Sequence, residues 1–356
     1  MIDIILPHNE ICSNSKKGPV ASVVINNNFY QNELLNERVF GSNEKRDVEL
    51  ENYYQLKSGF LSFLGKGWSY IYKLKKLHFS IGVPKIIEIH NRPIYFKYFG
   101  RKYKNTKFVL YLHNDPRNMK SLKTKEQREK LLKKFDAIIT VSNYITSCYF
   151  SGLKIDENSK KITTIHNGID RWLNKFPQKE KIIVFSGRLN DDKGIIELLN
   201  SLNFVLPRYP DWKAIIFGRP DRNISFNIKE ITKKNKNLLF LGEKPNYEVR
   251  NLLERCSICC VPSKWQEPLS LSVIEGLAAG CAVVTSNRGG IPEIAKDKAL
   301  LLDDVSEESI SSALIKLIED NNFREFRQKK SWETYSLSSK FSSQKLNSVR
   351  RNLILG

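Results

Sequence analysis

PSKWQEPLSLSVIEGLAAGCAVVTSNRGGIPEI, running from Pro262 to Ile294, carries the densest information in the chain. Leu271, Ile274, Leu277 and Ala278 recur at helical spacing, which predicts a helix opening near Ser270 and stopping at Gly280. CAVVTS (Cys281 to Ser286) then reads as a buried strand. A helix that opens at the C-terminal edge of a parallel sheet presents free backbone N–H groups and a positive dipole end, which suits a diphosphate. Glu267 and Glu275 flank that opening. Carboxylates repel phosphate but accept hydrogen bonds from vicinal diols, so the pair points to sugar hydroxyls. A structural alternative exists for Glu275, since Ser272 to Glu275 fits the S-x-x-E capping box.

Outward from this window, short apolar runs alternate with helical segments. They are IIEIH (Ile86 to His90), KFVLYLH (Lys107 to His113), DAIITVS (Asp136 to Ser142), KIIVFSG (Lys181 to Gly187), KAIIFG (Lys213 to Gly218), LLFLG (Leu238 to Gly242) and ICCVPS (Ile258 to Ser263). Continuous runs of this kind suit parallel strands buried on both faces, and the alternation argues for βαβ units. The runs form two groups separated by HNGIDRWLNKFPQKE (His166 to Glu180), which reads as a linker. The expected organisation is an N-terminal domain over 1–170, a second over 171–335, and a tail over 336–356 that packs back on the first.

The chain has 356 residues with 58 Lys+Arg against 38 Asp+Glu, a formal net charge of +20, and is 41% hydrophobic. That length suits two domains, and the apolar fraction excludes a mainly disordered chain. No stretch reaches the roughly 20 apolar residues of a spanning helix, and MIDIILPHNE has no signal-peptide pattern, so a cytoplasmic location is expected. Six cysteines make no disulfide framework. Cys256 and Cys259 form a CxxC with no second pair at zinc-like spacing, and core packing is the simpler reading than a metal or redox site. The basic excess is concentrated: Tyr54 to Phe135 holds 20 Lys+Arg and 4 Asp+Glu. Such a patch implies an anionic partner or a solvated surface. Nucleic acid is disfavoured, because no zinc-finger, RNP-like or helix-turn-helix pattern accompanies the lysines.

The window from Glu267 to Ile294 resembles the donor-site signature of retaining glycosyltransferase family 4, in which two glutamates separated by seven residues precede a G-x-P-V-V and a G-G-x-P-E element. FSGRLNDDKGI (Phe185 to Ile195), HNGID (His166 to Asp170), VSNYI (Val141 to Ile145), LGEKPNYEV (Leu241 to Val249) and LHNDP (Leu112 to Pro116) resemble further family elements in the family's order. EIHNRP (Glu88 to Pro93) with LHNDP is similar to bacterial members that build surface polysaccharide or lipopolysaccharide.

The resemblance implies an α/β, GT-B architecture of two Rossmann-like doubly wound domains facing across a cleft, and a nucleotide-sugar donor, UDP-hexose at the family level. It assigns the donor to Arg188, Lys193, Glu267, Glu275, the amides near Ser270 and Leu271, and Gly18. The catalytic set it implies is His113, Glu267, Arg188 and Lys193, with retention of configuration. Arg188 can fork onto a diphosphate and Lys193 adds a point charge, which stabilises the departing nucleotide. His90, at another strand end, is a candidate for the acceptor side. No cofactor and no metal are expected, since Asp191-Asp192 and Asp303-Asp304 are adjacent pairs rather than an Asp-x-Asp.

The acceptor is expected to be a glycan or glycolipid, met at an anionic membrane surface through residues 54–135, with GFLSFLGKGWSYIYKLKKLHF (Gly59 to Phe79) resembling an interfacial helix. The enzyme would then be peripheral on the inner face of the cell membrane. A soluble sugar or sugar-phosphate acceptor is the alternative. The chain departs from the family at NSKKGPVASVV (Asn14 to Val24), where Gly18 stands without a second glycine, and at Leu269-Ser270 in place of Phe-Gly.

Overall fold

A computed structural model describes residues 1–13, 18–30, 35–44, 48, 50–56, 63, 65–154 and 160–356, with Phe226 described by its backbone alone. The chain divides into two compact units. The first comprises Met1–Gly168 with Ser339–Gly356, and the second Ile169–Ser338.

Seven parallel strands form the first unit's sheet among the described residues: β1 (Ile2–Ile5), β2 (Glu37–Gly41), β3 (Tyr53–Gln55), β4 (Ile86–His90), β5 (Lys107–Leu112), β6 (Ala137–Thr140) and β7 (Ile162–Thr164), in the order β3-β2-β1-β4-β5-β6-β7. Its helices are α1 (Pro19–Asn28), α2 (Lys66–Ile81), α3 (Lys125–Lys134) and α4 (Asn143–Phe150). The second unit carries β8 (Glu180–Ser186), β9 (Lys213–Phe217), β10 (Leu238–Gly242), β11 (Cys256–Val261), β12 (Ala282–Ser286) and β13 (Ala299–Leu302), all parallel, in the order β10-β9-β8-β11-β12-β13. Its helices are α5 (Ile195–Val205), α6 (Ser225–Lys233), α7 (Asn246–Arg255), α8 (Leu271–Ala278), α9 (Ile291–Ala295), α10 (Glu307–Glu319) and α11 (Asn321–Glu333). The final helix, α12 (Ser339–Leu355), returns to the first unit, where it packs against α1.

The apolar runs become strands because both faces of each sheet are covered. Ile183, Phe185, Ile216, Ile258 and Val284 are buried together with the apolar stripes of α5 and α10. Each such side chain contributes about 1.5–3 kcal/mol on burial.

Five strands, β1, β2, β3, β7 and β13, are not among the runs identified above. In β2, ERVFG, two charges interrupt the apolar signal. Both are buried and paired: Arg38 forks onto Asp3 of β1 at 2.6 and 3.0 Å, and Glu37 accepts from Arg350 Nη1 at 2.8 Å. The division between the units falls inside His166 to Glu180, after Gly168. From Ile169 onward the segment packs within the second unit, with Trp172 Nε1 donating to Glu254 at 2.9 Å and the Arg171 guanidinium 3.8 Å over Trp332. The tail joins the first unit from Ser339, three residues after the expected position 336.

Candidate functional site

In an open parallel sheet, ligands bind beyond the strand C-termini where the strand order reverses. In the second unit that point lies between β8 and β11. Arg188 follows β8 after Gly187, while Pro262 to Ser270 follow β11 and lead into α8. Arg188 is exposed and makes no hydrogen bond or ion pair among the described residues.

Lys193 closes a single 3-10 turn, Asp191–Lys193, and its ammonium is bonded to Glu267 Oε1 and lies 5.8 Å from the Trp265 ring centre. Glu267 is 3% exposed, and the same oxygen accepts from Ser263 Oγ at 2.6 Å. Lys193 is thus no stray surface cation beside Asp191 and Asp192. Lys264 takes Asp191 at 2.8 Å and also pairs with Glu197, and its backbone amide donates to Asp192 O at 2.8 Å.

Two glycines make this close packing possible. Gly194 has φ +63°, and a Cβ there would lie 2.2 Å from Pro262 O. Gly289 has φ +57°, and a Cβ would lie 2.1 Å from Glu267 O, the same carbonyl that accepts from the Gly290 amide at 2.7 Å. The glycine pair of RGGIPEI therefore fixes the backbone of Glu267. Ser263, Lys264 and Arg250 were not singled out in the sequence, because their roles arise from contacts across turns.

The capping-box alternative for Glu275 fails. The N-cap of α8 is Ser270, in extended conformation with no side-chain cap hydrogen bond, and Ser272 lies inside the helix. The first amides of α8, Leu271 among them, therefore have no side chain capping them. Glu275, one turn inside, is half-buried and makes no hydrogen bond or ion pair among the described residues. Burial pushes its carboxyl up, with Arg250 partly opposing.

The first unit's order reverses between β1 and β4. His90 ends β4 and His113 directly follows β5. His90 Nδ1 lies 2.8 Å from His113 Nε2, and His90 Nε2 lies 2.8 Å from Glu88 Oε1. Both imidazoles stack on Tyr111, at 4.9 and 4.5 Å between ring centres. The two histidines are thus one hydrogen-bonded pair rather than two separate sites. Gly18 lies at the N-terminus of α1, but its amide donates to Ile11 O at 2.7 Å. Glu10 Oε1 accepts from the Val20 and Ala21 amides at 2.9 and 3.1 Å, and a Cβ on Gly18 would meet that oxygen at 2.2 Å. A carboxylate already occupies this helix terminus. Asn14 to Lys17 of the same loop lie outside the described residues.

All six cysteines are buried and none is in a disulfide, Cys256 and Cys259 lying in β11. Among the described residues no cluster of three His, Cys, Asp or Glu side chains is placed to share a metal ion, and no helix is long and apolar enough to cross a membrane. In the basic region, α2 buries Tyr70, Ile71, Leu74 and His78, while Lys66, Lys76 and Phe79 are exposed. Residues 59–62 and 64 of the interfacial-helix reading lie outside the described residues.

The family described as Glycosyl transferases group 1 matches residues 167–333, and Glycosyltransferase Family 4 matches residues 37–172. The chain belongs to the GT4-type glycosyltransferases. It is 26% identical over 253 residues to YtcC of Bacillus subtilis, covering 63% of this chain and 61% of that protein, so the match spans less than two thirds of that relative. Lipopolysaccharide 1,2-N-acetylglucosaminetransferase of Salmonella typhimurium is 22% identical over 295 residues, covering 74% of this chain and 72% of that one. The structure of Anabaena HepE with UDP and glucose superposes with a TM-score of 0.74 at 15% identity, over 99% of this chain and 100% of that one. The two Rossmann-like domains are those of the GT-B fold.

Proposed function

We propose that this GT4-type chain moves a hexose from a nucleoside-diphosphate sugar, UDP-linked by preference, to a hydroxyl of a lipid-linked or cell-surface glycan, with retention and without a metal. The observation that carries the donor reading is the pairing, at one sheet switch point, of a helix N-terminus without a side-chain cap with Arg188 and Glu275, neither of which makes a hydrogen bond or ion pair among the described residues. The amides of α8 and Arg188 suit the diphosphate. Glu275 suits the ribose diol, and Glu267 the sugar hydroxyls.

In the reaction, the bond from the anomeric carbon to the β-phosphate oxygen breaks as a bond to the acceptor oxygen forms on the same face. The acceptor proton passes to the departing phosphate. Arg188, Lys193 and the helix terminus supply the electrostatic stabilisation of that phosphate, so no metal is called for. Lys193 enters this role by exchanging Glu267 for the phosphate, which leaves Glu267 free for the sugar. In this reading His113 keeps the donor-sugar role that the family resemblance assigns to it.

A lipid-borne acceptor is favoured by the outer side of α2, where Phe79 is 78% exposed with the Lys102 ammonium 3.4 Å over its ring and Lys76 on the same helix. Aromatic and basic side chains in this combination suit a peripheral site on an anionic bilayer.

The test is a panel of UDP-, GDP- and ADP-sugars monitored for nucleoside diphosphate release, with lipid-linked and soluble acceptors, in the presence and absence of EDTA. Release from UDP-hexose that rises with a lipid-linked acceptor and survives EDTA supports the reading. Absence of release from every donor sinks it. Flotation with anionic vesicles is expected to show salt-sensitive binding, and none would remove the membrane part.

A further inference from the structure

Elements distant in sequence converge on His113. Its Nε2 meets His90 Nδ1, and His90 Nε2 meets Glu88 Oε1. The other Glu88 oxygen accepts from Arg350 of α12, with Nε and Nη2 each at 3.0 Å. Arg350 is 2% exposed and also donates from Nη1 to Glu37 Oε1 at 2.8 Å and to Asn347 at 3.1 Å, while Asn28 donates to Glu37 Oε2 at 3.0 Å. An arginine this deeply buried needs carboxylate partners, and here one of them leads through His90 to His113.

A hydrogen bond between two imidazole nitrogens contains one proton, so one of the two nitrogens is bare and the pair holds at most one imidazolium. His90 alone touches a carboxylate. Burial acts to raise the Glu88 carboxyl, but Arg350 and His90 outweigh it and hold it down at about 2, so it is ionised and His90 Nε2 carries its proton. When His90 is neutral, its Nδ1 is bare, His113 donates from Nε2, and His113 Nδ1 is an acceptor.

We propose that Arg350, Glu88 and His90 are positioning residues for His113: by keeping the His90 proton on Nε2, against Glu88, they leave His90 Nδ1 bare, so that His113 donates from Nε2 and presents Nδ1 as an acceptor to a sugar hydroxyl. This rests on the donor-sugar role proposed above for His113. Burial, reinforced by His90, holds the His113 ring well below its usual value, in keeping with a neutral imidazole. The charged and titratable groups around His90 are His113, Glu88 on its own strand, Arg350 and through it Glu37, Tyr111 on β5, and Glu10 on the loop after β1.

The test is histidine-selective nitrogen-15 NMR of the full chain between pH 5.5 and 8.5, beside nucleoside diphosphate release from UDP-glucose. The His113 ring is expected to stay neutral throughout, and its tautomer balance to change in Glu88→Gln, a residue it does not touch. In the same variant kcat should fall roughly 10- to 100-fold with the donor KM held within about twofold, as for a misplaced group. Arg350→Met should behave alike and Arg350→Lys recover part of the loss. An imidazolium signature at His113 in the wild type, or tautomer populations identical in Glu88→Gln, would overturn the relay. Should Glu88→Gln fail to fold, the wild-type spectrum still decides. Tautomer coupling without turnover on any donor sinks the donor reading and leaves the relay standing, whereas turnover without coupling does the reverse.

Discussion

The two sheets share a topology and treat their polar groups in opposite ways. Both reverse strand order between two central strands, β1 and β4 in one unit and β8 and β11 in the other. In the second unit, α8 has no side-chain cap, Arg188 is exposed and unpaired, and Glu275 has no partner among the described residues. In the first, Glu10 caps α1, and His113, His90, Glu88, Arg350 and Glu37 close a chain of hydrogen bonds. A helix terminus and a cation left open cost stability unless a ligand completes them. One sheet edge is therefore built to be completed from outside, and the other to hold a fixed arrangement.

The largest effect that separates the two edges is expected at Lys193. It stands between a buried carboxylate and the place assigned to the leaving phosphate, so Lys193→Ala should lower turnover about 10²- to 10³-fold. The variant should remain folded by circular dichroism, because Ser263 still donates to Glu267. Turnover equal to wild type in a nucleoside diphosphate release assay would take Lys193 out of the mechanism and weaken the contrast.

Glu275 should show a trade between binding and stability. Its folded-state carboxyl lies above its unfolded value, so the folded state holds the extra proton. Its contribution therefore favours folding less as pH rises through that interval, and ionisation at neutral pH is a standing cost. Glu275→Gln should raise the thermal midpoint at pH 7.5, by an amount corresponding to about 1 kcal/mol, and lose that advantage near pH 4. Donor KM should rise at least tenfold, through loss of a charge-assisted bond to the ribose diol. A lower midpoint at pH 7.5 would mean that Glu275 has a structural partner after all.

Legibility in the sequence follows the same division. Beyond Arg188, Lys193, Glu267 and Glu275, eight strands could be read because continuous apolar runs report burial directly. The site's second-unit residues stood in local motifs on consecutive turns. What escaped was non-local: β2 hides Glu37 and Arg38 in ion pairs with Arg350 and Asp3, and the relay joins Glu88 to a residue 262 positions away. Charge in a strand signals solvent until its partner is known. Gly18 is instructive in another way. Its φ of −70° suits any residue, and it is the Glu10 carboxylate at 2.2 Å from an added Cβ that excludes a side chain, a contact that no local motif announces.

The smallest expected effect belongs to Glu10, and its sign should be opposite to that at Glu275. Burial raises the Glu10 carboxyl, while the Ala21 and Val20 amides and then His90 and Arg92 oppose that rise. Truncation by Glu10→Ala leaves two amides of α1 without their acceptor and should destabilise the protein by about 1 kcal/mol, within the range of lost helix caps. Removing the carboxylate of the closed edge therefore costs stability, whereas neutralising the carboxylate of the open edge restores some. Chemical denaturation of both variants at pH 7.5 checks this directly. If both shift the midpoint the same way, the two helix termini are not differently prepared, and the distinction between an edge awaiting a ligand and one complete in itself falls.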